Sequence, residues 1–121
     1  MIKTDVCIIG AGPVGLFAVF ELGLLKLNSH LVDALPAVGG QLTEIYPQKP
    51  IYDIPGYPSV LAGELIDNLM EQIKPFDPGF TLGERMESLT RLEDGSFELV
   101  TSEGTKIAAR AVVIAGGLGS F

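Results

Sequence analysis

The feature that most constrains this chain is the run Gly10-Ala11-Gly12-Pro13-Val14-Gly15, because of what stands on either side of it. Before it, Thr4 to Gly10 (TDVCIIG) is apolar, carries Val and two Ile, and lacks strict alternation. That pattern reads as a short buried strand of a parallel sheet. After it, from Pro13 to about Lys26, Val14, Leu16, Phe17, Ala18, Phe20, Leu24 and Leu25 recur at helical spacings. Pro13 suits the first turn of a helix, where its missing N–H costs nothing. His30 to Ala34 (HLVDA) reads as a second short strand, so the first thirty-odd residues form a βαβ unit.

In that setting each glycine has a distinct task. Gly10 permits the tight turn off the strand, Gly12 lets the backbone approach a pyrophosphate, and Gly15 allows close packing of helix on strand. The pyrophosphate meets the free N–H groups and positive dipole end of the helix that Pro13 and Val14 begin. Asp33 follows Gly15 at nearly the spacing of the acid that accepts hydrogen bonds from a ribose diol. Together these residues point to a dinucleotide.

The remaining sequence supports an α/β domain. Leu35 to Gly63 is rich in proline and glycine, so its regular elements should be short, and a long stretch of this kind is usually functional. Gly63 to Phe76 restores a helical pattern, with Leu65, Ile66, Leu69, Met70 and Ile73 on one face. Beyond Pro78 the period changes to alternation around the turn pairs Asp94-Gly95 and Glu103-Gly104, the mark of a β-meander. Ala111 to Gly117 (AVVIAGG) closes the chain's patterned part as another buried strand.

Charge and composition narrow the function. The net charge is −7, from 15 acids against 8 bases, with no Lys/Arg cluster to neutralise phosphates, which argues against nucleic acid. An anionic ligand must be held by backbone amides and a helix end. No apolar run approaches the ~20 residues of a membrane span, and no signal-peptide pattern opens the chain. Cys7 is the single cysteine, expected as a small buried hydrophobe, which rules out an internal disulfide and fits a cytoplasmic address. His30 is expected at a strand edge, and Asp53 either begins a turn or orients its loop.

The fingerprint alone does not separate FAD from a nicotinamide dinucleotide, since both carry an ADP half. Two features favour FAD: Gly39-Gly40-Gln41 offers a second close backbone approach, and the meander takes the place of a helical crossover. The segments GAGPVGLF, VGGQLTEIYPQKPIYDIPGYP and AVVIAGGLGSF resemble the first part of the two-dinucleotide flavoproteins that include thioredoxin reductases. Within that family, EIYPQKPIYDIPG is most similar to the thioredoxin-reductase-like ferredoxin–NADP reductases.

The resemblance implies a Rossmann-like FAD/NAD(P)-binding three-layer fold, with a parallel sheet and a β-meander. It implies that Gly10, Gly12, Pro13, Val14 and Gly15 cradle the FAD pyrophosphate and that Asp33 binds the adenosine ribose. It further implies that Gln41 bonds near the flavin and that Tyr46 lies against the isoalloxazine ring, while Gly40 belongs to the close backbone approach already read from the residues. Met86 takes the strand position whose backbone meets the adenine, and Phe121 that of an aromatic near the cofactor. No second G-x-G-x-x-G is present, so residues 1–121 are expected to be the N-terminal portion of an FAD domain, without the NADPH-binding domain and closing FAD segment. The activity implied is electron transfer from NADPH through FAD to ferredoxin or a similar carrier, in a parent that pairs as a homodimer. Thioredoxin reductase is the first alternative. A non-catalytic dinucleotide-binding module is the second, and a flavin monooxygenase the third.

Overall fold

The computed structural model describes residues 1–40, 42 and 47–117. The strands are β1 (Ile2–Ile9), β2 (Ser29–Asp33), β3 (Pro50–Ile51), β4 (Val60–Leu61), β5 (Gly79–Leu82), β6 (Met86–Arg91), β7 (Phe97–Thr101) and β8 (Lys106–Ile114). Two helices have both ends among the described residues, α1 (Pro13–Leu24) and α2 (Ala62–Ile73), the latter running into a 3-10 turn at Lys74–Phe76.

Six strands form one sheet in the order β5-β2-β1-β8-β7-β6. Strands β5, β2, β1 and β8 run parallel, whereas β7 and β6 continue the sheet antiparallel. The expected meander is therefore β6-β7-β8, turning at Gly95 and Gly104, both with positive φ. The expected parallel βαβ unit is β1-α1-β2.

Alternation along β1 divides the core. Val6 and Ile8 face one side and pack with Leu16 and Val19 of α1, Leu31 of β2, and Leu65, Ile66, Leu69 and Ile73 of α2. Cys7 and Ile9 face the other side, with Val32, Leu99, Ile107 and Ala109, and Met86 and Phe97 pack against them. Helices thus cover one face while meander residues cover the other, which gives three layers. Fully burying a side chain such as Ile8, Leu16 or Ile66 stabilises by about 1.5–3 kcal/mol.

Several local outcomes differ from the sequence pattern. The strand β5, only four residues long and directly after Pro78, is not marked by alternation, yet it pairs along β2 from His30↔Gly79 to Asp33↔Leu82. That pairing makes β2 an interior strand, so His30 is not at a sheet edge. Its buried ring bonds through Nε2 to Thr81 Oγ1 at 2.7 Å. A Cβ on Gly79 would run into that ring, with Cε1 at 3.0 Å, which is why the position opposite His30 is bare. Burial also lowers the His30 pKa, because the charged imidazolium is poorly solvated there.

Helix α1 is apolar nearly all round, and the structure leaves Val14 71 %, Phe17 43 % and Leu24 59 % exposed. The Leu35–Gly63 stretch is pinned by a two-residue ribbon, Pro50↔Leu61 and Ile51↔Val60. Val38, Ile51 and Ile54 from this stretch pack on the helical side of the core. Finally, β7 pairs with only the first part of β8, residues 106–109. Further along, β8 pairs with β1 as far as Ile9↔Ile114. On its other side Arg110–Ile114 meets no strand among the described residues.

Candidate functional site

The C-terminal ends of β1 and β2 bring the predicted residues together, at the end of a parallel sheet where ligands of α/β folds bind. Gly10 leaves β1 with φ +115, and its N–H donates to the Val32 carbonyl at 2.8 Å. A Cβ there would be driven into the Ala115 carbonyl, whose carbon would stand only 2.6 Å away. Both the backbone conformation and the approach of the chain after β8 demand glycine. Gly15 is fixed by packing alone, since a Cβ would strike the Gly10 carbonyl and come within 3.3 Å of Ile8 Cγ2.

Gly12 differs from both. Its φ of −78 and ψ of −172 are open to any residue, and an added Cβ would have nothing within 4 Å. The position therefore faces open space at the mouth of α1. Helix α1 begins there with Pro13 at its start, no side-chain cap and no acid in the first turn. Its leading amides can face an anion, and no carboxylate among the described residues caps them.

Asp33 ends β2 beside this mouth. Its Oδ2 accepts the Ala11 N–H at 2.7 Å, and its Oδ1 accepts the Leu35 N–H at 2.9 Å. The following loop folds back over the turn: Gly39 N–H donates to the Ala11 carbonyl at 2.8 Å. Gly40, at φ +58, sits so that a Cβ would lie 3.4 Å from Gly12 Cα. The second glycine pair and the first are thus packed against each other.

Met86 begins β6 opposite Thr101, with its side chain against the Cys7 cluster. The site therefore gathers Gly10, Gly12, Pro13, Val14, Gly15, Asp33 and Gly40. Gln41, Tyr46 and Phe121 lie outside the described residues. Cys7 is fully buried and burial pushes its thiol up to about 11, as an inert core residue requires. Asp53 is exposed in the loop after β3. The sequence did not reveal that Ala11 joins Asp33 to the 35–40 loop, since its amide and carbonyl carry no residue signature. No helix is long and apolar enough to cross a membrane among the described residues.

These features fit a bound dinucleotide: open space at the one motif glycine that neither its backbone angles nor its packing demands, an uncapped helix start, and a carboxylate beside it.

No protein-family model matches the chain. A ferredoxin–NADP reductase of Christiangramia forsetii is 74% identical over 121 residues, which is all of this chain and 34% of that protein. The chain thus spans about a third of the length of this curated relative. Among solved structures, a thioredoxin reductase from Streptococcus pyogenes superposes with TM-score 0.81 at 24% identity, over 95% of this chain and 35% of that one. A cyclohexanone monooxygenase superposes with TM-score 0.76 at 24% identity, over 98% of this chain and 27% of that one. Over its whole length the chain is therefore similar to about one third of a ferredoxin–NADP reductase, and it has the Rossmann-like fold that thioredoxin reductases share.

Proposed function

We propose that this chain is the FAD-binding part of a ferredoxin–NADP reductase, an oxidoreductase that takes electrons from NADPH and hands them to ferredoxin or a similar carrier. The observation that carries the reading is the 74% identity, across every residue of the chain, to a protein of that name. The open Gly12 at an uncapped helix start supports it independently. On this reading, residues 1–121 are the N-terminal portion of the FAD domain. NADPH is held in a separate domain and the parent is a homodimer, as the family resemblance implies, and the single cysteine fits a cytoplasmic address.

Bound at this site, FAD would supply the conversion between a hydride donor and a single-electron acceptor. The chain's own part is binding and orientation. The amides at the start of α1 neutralise the pyrophosphate without a side-chain cation, which suits a chain of net charge −7. Asp33 accepts from a ribose diol and repels a 2′-phosphate, which favours FAD over NADPH at this helix mouth. Met86 at the start of β6 supplies backbone toward the adenine, and Gly40 holds its loop against Gly12. Gln41, Tyr46 and Phe121 are assigned to the flavin end by resemblance alone.

Calorimetric and absorbance titrations with FAD, NAD and NADPH test the assignment. Selective FAD binding is the expected result. Tight NADPH binding without FAD would overturn it, and turnover of the parent enzyme with thioredoxin in place of ferredoxin would replace the proposed acceptor.

A further inference from the structure

Asp33 is more deeply committed than a ribose ligand needs to be. The side chain is buried, and its two oxygens accept from two different segments: the Ala11 amide in the glycine turn and the Leu35 amide in the following loop. Ala11 is itself buried, so its amide has no water to fall back on. The network extends in both directions. Ala11 accepts from Gly39 through its carbonyl, and Leu35 accepts from Gly83 at 2.9 Å. The Asp33 carbonyl accepts from Glu84 at 3.2 Å, two residues before Met86. Through one residue the glycine turn, the loop that carries Gly40, and the approach to β6 are tied together.

We infer that Asp33 is a positioning residue whose carboxylate clamps the glycine turn and the 35–40 loop into their ligand-ready arrangement before any dinucleotide arrives. The inference deepens the dinucleotide reading and rests on it for its purpose, but its geometry is a property of the chain alone. Hydrogen bonds from amides to a carboxylate are short and strong, and the 2.7 Å bond from Ala11 is of that kind. Each carboxylate oxygen accepts more than one hydrogen bond, so the clamp and a ribose diol can be served together. A neutral amide cannot replace it, because Asn offers one acceptor oxygen and would turn an NH2 group toward the other donor.

Amide hydrogen exchange on the 121-residue chain without ligand tests this. In the wild type, the Ala11 and Leu35 amides should exchange far more slowly than open loop amides. In Asp33→Asn their exchange should accelerate by about tenfold or more, the loss of a buried amide's partner, while Ile8 and Leu31 keep their rates. Asp33→Glu keeps both acceptor oxygens and should restore protection at Ala11 to within about tenfold of wild type.

A pure ribose ligand would move none of these unliganded rates. Free exchange of Ala11 and Leu35 in the wild type overturns the inference, as does unchanged exchange in Asp33→Asn. So does an Asp33→Glu chain that exchanges at Ala11 as fast as an open loop, the deciding variant if Asp33→Asn does not fold. A parallel FAD titration separates the two claims. Protected amides in a chain that ignores FAD uphold the clamp and defeat the dinucleotide reading, and FAD binding with unprotected amides does the reverse.

Discussion

Substituting Gly12 and Gly15 separately should pull folding and binding apart, because the structure gives the two glycines opposite surroundings. At Gly12 an alanine methyl meets nothing within 4 Å, and the backbone angles are ordinary, so the unliganded chain should keep its stability to within about 0.5 kcal/mol. On the proposed placement of the cofactor that methyl takes the space of the pyrophosphate, so FAD affinity should fall by about 100-fold or more, on the order of 3 kcal/mol. Gly12→Val should abolish binding. At Gly15 the same methyl strikes the Gly10 carbonyl, with the carbonyl carbon at 3.0 Å, and both neighbours are backbone or core that cannot swing aside. Overpacking of this kind costs about 1–3 kcal/mol, which for a chain of this size lowers Tm by roughly 4–12 °C. Thermal melts without ligand, paired with FAD titrations, give both quantities for each variant. If Gly12→Ala melts well below wild type, or binds FAD as wild type does, the placement of the cofactor is wrong.

Three further outcomes follow from the sheet. Because burial holds His30 below its ordinary pKa, the unfolded chain takes up a proton first as pH falls. Stability is therefore full above about pH 6.5 and drops as the pH falls below it toward the folded pKa, and replacing His30 with Gln should flatten that part of the Tm-against-pH curve. Gly79→Ala should destabilise by about 1–3 kcal/mol through its clash with the His30 ring. Adding His30→Ala should recover part of that loss in a double-mutant cycle, and strict additivity would show that the two positions do not touch. Cys7, buried and with its pKa pushed up to about 11, should react with a thiol reagent only as fast as the chain unfolds, so prompt labelling of the native chain would contradict its position in β1.

Much of the site was legible because its determinants are local. Gly10 needs a positive φ and Gly15 a bare helix face, and both needs follow from a strand that turns sharply into a helix. The meander was legible for the same reason, as Gly95 and Gly104 sit in tight turns that only local geometry sets. What escaped the sequence depends on partners far along the chain. Strand β5 exists because β2 offers it a free side, and its four residues are too few to show a period. His30 looks like an edge residue until β5 is in place. The buried side of α1 could not be chosen from a helix whose residues are apolar almost all round; packing against α2 and the sheet chose Leu16 and Val19. Asp33 announced its position at the end of a strand, but not the two amides it holds, since any residue can present an N–H.

The half-paired β8 carries a different consequence. Among the described residues, no strand covers the outer backbone side of Arg110 to Ile114, next to Ala111, Val112, Val113 and Ile114. Arg110 is the one charge in that segment, and it leans toward Asp5 at 3.7 Å. Such a rail has few of the devices that keep sheets from joining edge to edge, such as lysines, prolines or a bulge. In a concentrated solution of the chain, two copies meeting along these rails would gain hydrogen bonds and bury apolar side chains at once. Among the described residues, the side of β8 turned away from β1 is therefore where association of two copies would begin.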